Sequence, residues 1–294
     1  MASLRCRRFM VPMKRALIVE FAKMSGAGND FIVLDNRFYH FSAEELSAIA
    51  RRMCPRRHGI GADGLLALEP AKQNGAAYRM VYINANGSEG TMCGNGACCL
   101  VRFARQAGFD ADDVTLETAS GLCRAHVKAD AASPVRIYMQ VPQHWRPSVH
   151  LHDTLPEAID HVHYLWPGTE HIVCFTAGVA DAPVSTWGPA IRHDPALAPA
   201  GANVNFVEVR RANTLTVRTF EKGVEAETLA CGTGAVASAT AAWLTGKVAT
   251  TCIRVDMPGG TLTVGLDKDQ VYLEGPAVSV YRGSFEANPA DLSS

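Results

Sequence analysis

The sequence lacks an excess of charge of either sign: 28 Lys and Arg stand against 29 Asp and Glu, a formal net charge of −1, with no long run of one sign. Nothing therefore recommends a nucleic acid or an anionic membrane surface as a partner. An apolar run long enough to cross a bilayer is also missing. The nine cysteines are odd in number and form no spaced framework, which fits reduced thiols in a cytoplasmic protein better than secreted disulfides. Cys93, Cys98 and Cys99 cluster without a second Cys-x-x-Cys pair or a histidine partner, so no metal is expected. No lysine motif points to a pyridoxal Schiff base, and no cofactor is expected. The basic opening, with Arg5, Arg7, Arg8, Lys14 and Arg15, has no hydrophobic segment that would make it a secretory signal. Residues 1–13 are expected to be a loose extension or the result of a start placed upstream of Met13.

What the sequence does have is one pattern twice. Cys93-Gly94-Asn95-Gly96-Ala97 returns as Cys231-Gly232-Thr233-Gly234-Ala235, each with a glutamate four positions earlier, Glu89 and Glu227. Each is followed by a stretch rich in small residues that stops at a glycine, Gly108 or Gly246. In the first, Ala97, Leu100, Val101 and Ala104 keep helical rhythm. The second, from Ala235 to Trp243, is apolar or small on every side, which predicts a helix buried all round.

A cysteine just before a glycine-rich turn into a helix sits among unpaired backbone N–H groups at the positive end of the helix dipole. That placement predicts a thiol lowered from roughly 8.5 into the range of about 3.5 to 7.5. The glycines let the backbone approach a small anion, so the same turn can cradle a carboxylate. One such loop reads equally well as a buried structural cysteine; two at matching places in an internal repeat favour a functional pair.

The chain is long enough for two domains, and the repeat spacing divides it near its middle. The expected boundaries are 14–136 for the half with Cys93 and 137–276 for the half with Cys231, with a strand over 277–286 returning to the first. Strands are expected at Ala16–Met24, Phe31–Leu34, Leu65–Leu68, Tyr78–Asn84, Thr115–Glu117, Leu122–Lys128 and Val135–Val141, with a helix opened by a capping box at Ser42 and Glu45. Pro142 to Pro156 reads as the crossing between halves. Further strands are expected at His171–Thr176, Asn203–Val209, Leu215–Phe220, Cys252–Met257, Thr261–Leu266, Gln270–Leu273 and Ala277–Tyr281. The irregular alternation disfavours a doubly wound parallel sheet and points to an α+β fold in which strands wrap a buried helix, twice.

Two cysteines approaching one carbon from opposite faces suit racemisation or epimerisation: a thiolate removes a proton from one face and a thiol returns one to the other. A cysteine hydrolase or thiol redox protein, which would need only one activated cysteine or two acting as a disulfide, and a catalytically silent binding protein, which would not need both cysteines and both cradles, are the other readings.

Eight segments carry a resemblance: 21–31 (FAKMSGAGNDF), 59–63 (GIGAD), 84–89 (NANGSE), 92–97 (MCGNGA), 203–206 (NVNF), 220–223 (FEKG), 227–234 (ETLACGTG) and 257–260 (MPGG). In this order they resemble diaminopimelate epimerases. The resemblance implies two pseudo-symmetric domains, each a mixed, mostly antiparallel barrel-like sheet around a central helix. It implies a cofactor-independent enzyme, a homodimer, that interconverts LL- and meso-2,6-diaminopimelate for lysine and peptidoglycan synthesis. Cys93 and Cys231 are then the acid and base, and Gly94, Asn95, Gly232 and Thr233 cradle the α-carboxylate. Asn29, Asn84 and Asn205 are substrate-binding, and His171, Glu221 and Lys222 are polar groups of the same site.

The chain departs from the family pattern at a few places. The family's Gly-Asn-Pro-His is here Gly168-Thr169-Glu170-His171, its Glu-Arg-Gly is Glu221-Lys222-Gly223, its Asn-Ala-Asp-Gly is Asn84-Ala85-Asn86-Gly87, and a common glutamine is Gly64. An arginine offers a rigid fork to a carboxylate and a lysine only a point charge. These departures fall on the far end of the substrate, so a racemase of another amino acid on the same fold, such as histidine, is the second expectation.

Overall fold

The computed structural model describes residues 17–152, 156–267 and 269–287, and of Asp160 the backbone only. The expected extension over residues 1–13 lies outside the described residues.

The internal repeat is written into the sheet. In the first half the strands Leu17–Gly26, Asn29–Asp35, Gly64–Glu69, Tyr78–Asn84, Asp113–Thr118, Gly121–Val127 and Val135–Met139 pair in that order, antiparallel, parallel, antiparallel, parallel, antiparallel, antiparallel. In the second, Ile159–Trp166, His171–Thr176, Asn203–Arg211, Thr214–Glu221, Cys252–Met257, Gly260–Leu266 and Val271–Gly275 repeat the same sequence of directions. The two last strands, Val135–Met139 and Val271–Gly275, pair with each other and join the halves. Val278–Ala287 returns to pair with Leu17–Gly26. The architecture is α+β, with antiparallel pairs outnumbering parallel ones in each half.

Each half encloses one helix. Gly94–Gln106 sits in a core built with Phe31, Leu66, Leu116 and Ile137, and Gly232–Leu244 in one built with Val207, Val217, Val255 and Leu273. Ala235 to Ala242 is buried without a break, as the all-round apolar composition predicts, but Trp243, the last residue of the expected stretch, is 43% exposed. Both helices stop where Gly108 (φ 101°) and Gly246 (φ 70°) enter the left-handed region that glycine occupies without strain. A second core lies outside each sheet, under Ala43–Met53 in the first half and Val184–Arg192 in the second.

The differences from the sequence reading are local. The capping box at Ser42 and Glu45 forms as expected. The segment from Pro142 is not all connection, since Gln143–Arg146 adds an edge strand beside Ile159–Trp166. That latter strand and the helix Val184–Arg192 were not foreseen. The helix begins at Pro183 with no side-chain cap and carries Pro189 inside, so its start signal is weak and its breaker signal is strong.

Candidate active site

The two enclosed helices meet N-terminus to N-terminus. A Cβ placed on Gly232 would stand 3.9 Å from Cα of Gly94 and 3.8 Å from Oδ1 of Asn95, and 2.9 Å from Cδ2 of Leu273. The distances to Gly94 and Asn95 are those of ordinary contact, and the tight one is to the end of a leucine side chain. Cys93 and Cys231 are the N-cap residues of the two helices, both with extended backbone, and each sulfur accepts the N–H three residues on, at 3.4 Å from Gly96 and 3.4 Å from Gly234. The cap position follows from sequence: a small polar side chain before Gly-x-Gly folds back onto the first turn.

The expected lowering of the thiols does not hold. Burial pushes Cys93 up to about 11 and Cys231 up to about 12, and the carboxylate of Glu221 adds to both. The N–H groups of Asn95, Gly96 and Gly234 and the hydroxyl of Thr233 oppose this, and the loss of water outweighs them. The helix-start argument omitted desolvation, the larger effect in a site where Cys231 is 8% exposed.

Behind Cys231 lies a buried polar relay. His171, fully buried at 0% exposure, is pushed down to about 3 by burial and is therefore neutral. Asn205 donates its amide N–H to Nδ1 at 3.0 Å, which leaves the ring proton on Nε2 to donate to Oγ1 of Thr233 at 2.9 Å. The Thr233 hydroxyl, 3.5 Å from Sγ of Cys231, is then free to donate to the sulfur. Asn205 is itself fixed by Thr219, which donates to its Oδ1 at 2.9 Å, and by its own bond to the Ile172 carbonyl at 2.8 Å. Glu221 is raised by burial.

Around Cys93 the chain of bonds runs outward. Asn95 donates to Oδ1 of Asn29 at 2.8 Å, Asn29 donates to Asp63 at 3.0 Å, and Arg56 bridges Asp63 and Asp30, each at 2.7 Å. Lys23 completes the cluster against Asp30 at 2.7 Å.

The fold thus gathers Cys93, Gly94, Asn95 and Asn29 with Cys231, Gly232, Thr233, His171, Asn205 and Glu221. Two sequence-predicted residues make their bonds away from the sulfurs. Asn84 donates to Ser88 at 3.0 Å within its own turn, and Lys222 is ion-paired with Glu170. Glu227 forms a two-bond ion pair with Arg218, while Glu89 points outward, so the repeated glutamates do not act on the sulfurs. Sequence reasoning missed Leu273, Asp63, Asn203, Thr219 and Glu170. Asp63 lay inside the Gly59–Asp63 motif and Glu170 beside His171, whereas nothing marked Leu273. A concavity of about 890 Å³ on the outside of the first half, walled by Arg37, Phe103 and Arg282, touches none of these residues.

Two repeat-related halves, each presenting a cysteine at the start of an enclosed helix, with the two helix starts in contact at one half-buried seam, define a class of α+β proteins with paired thiols. Solved structures share this fold: a phenazine biosynthesis protein of the PhzF family from Bacillus anthracis (TM-score 0.71, 17% identity, 92% of this chain and 99% of that one), and a hydroxyproline epimerase from Agrobacterium vitis (TM-score 0.66, 14% identity, 95% of each). The chain belongs to the diaminopimelate epimerase family, whose model matches residues 21–145 and 164–280. It is 42% identical over 267 residues to the diaminopimelate epimerase of Chlorobaculum tepidum, covering 89% of this chain and 99% of that protein. It is 37% identical over 282 residues to that of Moorella thermoacetica, covering 91% and 99%.

Proposed function

We propose that the chain is a diaminopimelate epimerase, an isomerase that interconverts LL- and meso-2,6-diaminopimelate, and that Cys93 and Cys231 act on the α-carbon as an acid–base pair. The observation that supports this most is the meeting of two cysteine-capped helix starts at one half-buried seam. The first-turn N–H groups of both helices converge where an α-carboxylate fits, and in a site closed to water they stabilise the charge that grows as the α-proton leaves. The thiolate on one side takes that proton, and the thiol on the other side delivers one to the opposite face. With both thiols raised, the thiolate is disfavoured in the empty site, and the substrate's own α-ammonium, entering beside the sulfurs, supplies the positive charge that lowers the cost of ionising one of them. The titration belongs to the pair.

In this reading Gly94, Asn95, Gly232 and Thr233 hold the α-carboxylate, Asn29 fixes Asn95, and His171 with Asn205 fixes Thr233. Asn84, Glu221 and Lys222 line the path of the rest of the molecule. The halves divide at 14–136 and 137–276. The chain works without a cofactor, as a cytoplasmic enzyme and a homodimer; the exposed apolar side chains of Val278, Val280 and Tyr281, on an edge strand, favour a second copy as cover.

Proton NMR of the purified protein with LL-diaminopimelate in heavy water tests the function. The expected result is meso product carrying deuterium at the inverted α-carbon. Folded protein that exchanges nothing on this substrate but does exchange the α-hydrogen of another amino acid would replace the reading with that of a racemase.

A further inference from the structure

Three departures from the family pattern, two of them adjacent and the third some fifty residues on, meet in one cluster. The hydroxyl of Thr169 donates to Oε2 of Glu170 at 3.1 Å, and the ammonium of Lys222 pairs with the same oxygen. The fold places this cluster just beyond the reacting centre. His171 lies opposite Asn203 in the parallel pair, and Val204 opposite Phe220, so His171, Asn203 and Glu221 form a row across three strands at the level of the second cysteine. Glu170 and Lys222 follow one position further along the outer two strands. Of the inner row His171 and Asn203 are buried and Glu221 is half-buried, and the side chains of Glu170 and Lys222 are each 26% exposed. Asn203 ties the rows together, accepting the N–H of Lys222 at 2.8 Å and donating to the Glu170 carbonyl at 3.1 Å.

Burial is the largest single influence and opposes the charge on Glu170, but the Lys222 ammonium, the residue's own N–H and the Thr169 hydroxyl together outweigh it, so the carboxyl is held below its usual range. Its counterpart in the first half is Asp30, since Phe31 faces Gly64 as His171 faces Asn203. Asp30 is locked between two cations, Lys23 and Arg56. Among the described residues Glu170 is paired with one, Lys222.

We propose that Glu170 and Lys222 are the specificity clamp for the far end of the substrate, Glu170 receiving its ammonium and Lys222 its carboxylate. The inference rests on the epimerase reading above and names the residue, Glu170, that the family pattern does not supply. A far group carrying both charges exchanges one internal ion pair for two external ones and leaves no charge unpaired. A far group carrying only a carboxylate must break the internal pair and leave Glu170 alone, which rejects it. The clamp selects zwitterionic ends.

The test compares LL-diaminopimelate with L-2-aminopimelate, which keeps the far carboxylate and lacks the far amine. KM is measured for the first and the competitive inhibition constant Ki for the second, in wild type and in Glu170→Gln. The ratio of Ki to KM is expected to fall about tenfold in the variant, because the diamine loses a partner while the monoamine gains a freed Lys222. Loss of folded protein cancels in the ratio. Glu170→Asp should recover part of it. A ratio within about threefold of wild type would overturn the clamp while wild-type turnover of LL-diaminopimelate keeps the functional reading standing. Wild-type protein that fails to turn over LL-diaminopimelate removes that reading, and the clamp with it, before any variant is compared.

Discussion

The two halves share a backbone plan and differ in what surrounds the sulfur. Phe31, Leu66 and Tyr82 occupy one set of places in the first sheet; His171, Asn205 and Thr219 occupy the matching places in the second. Leu66 and Phe31 pack against Gly96 at the first helix start, and Asn205 packs against Gly234 at the second. Cys93 therefore has an apolar floor and depends on backbone N–H groups for its charge, whereas Cys231 has a hydroxyl behind it and a neutral histidine behind that. Repetition supplied two thiols in equivalent positions, and divergence of their floors made them chemically unequal. An acid–base pair that must hold one proton between two sulfurs uses that inequality.

The strongest attempt to break the comparison is to remove each sulfur in turn. Cys93→Ala and Cys231→Ala are each expected to lower epimerisation by roughly a thousandfold or more, within the range known for a positioned acid or base, with circular dichroism unchanged. Deuterium incorporation by NMR measures both. If either variant kept substantial activity, the halves would not be partners in one reaction and the symmetry would be ornamental.

The helix-start glycines give the next largest contrast, in stability. A Cβ on Gly234 would collide with Oδ1 of Asn205, which Thr219 and the Ile172 carbonyl hold in place, whereas a Cβ on Gly96 would meet Leu66 and Phe31 at 3.4 Å, an ordinary contact. Gly234→Ala should cost about 2–3 kcal/mol through overpacking, and Gly96→Ala should stay within about 1 kcal/mol of wild type because the helical gain of alanine offsets the contact. Denaturant unfolding decides; equal costs would mean that the polar floor is no more rigid than the apolar one.

How much of this was legible in sequence follows from the same comparison. The cysteine helices and their burial could be read because the motif occurs twice and alanine runs have one structural meaning. The helix Val184–Arg192 was hidden by Pro183, Pro189 and a missing cap, yet it connects the parallel strands of its half that match those connected by Ala43–Met53 in the first, so matching the halves element by element would have placed it. The correspondence of Phe31 with His171 could not be read, because it depends on strand register across residues distant in sequence. The thiols were misjudged for a physical reason: a local motif reveals the helix dipole but not the loss of water around it.

The relay behind Cys231 gives a smaller effect on rate. Thr233→Val removes the hydroxyl and strands the Nε2–H of His171, so kcat/KM is expected to fall about tenfold, the scale of one charge-assisted hydrogen bond to a thiolate. Its pH profile should also shift to more alkaline values, since the thiolate loses a donor. Asn95→Ala, at the matching place in the first half, should weaken substrate binding without that shift, because its amide bonds Asn29 and not the sulfur. Identical pH profiles for the two variants would erase the distinction between the floors.

The last effect concerns the pH dependence of stability that His171 contributes, for which the first half has no matching group. His171 is held at about 3 in the folded chain and returns to its ordinary value of 6.5 on unfolding. Below pH 6.5 the unfolded chain takes up a proton that the folded chain refuses, so the folded state loses stability as pH falls from 6.5 toward 3 and keeps it in full above 6.5. Phe31, in the matching place, carries no proton to lose. The difference in unfolding free energy between wild type and His171→Gln should therefore narrow by up to about 1.4 kcal/mol for each pH unit below 6.5. Chemical denaturation at pH 7.5, 6, 5 and roughly 4.5 measures it. A difference that stays constant across that range would mean that His171 is already charged or solvated in the folded chain, and the relay to Cys231 would lose its neutral donor.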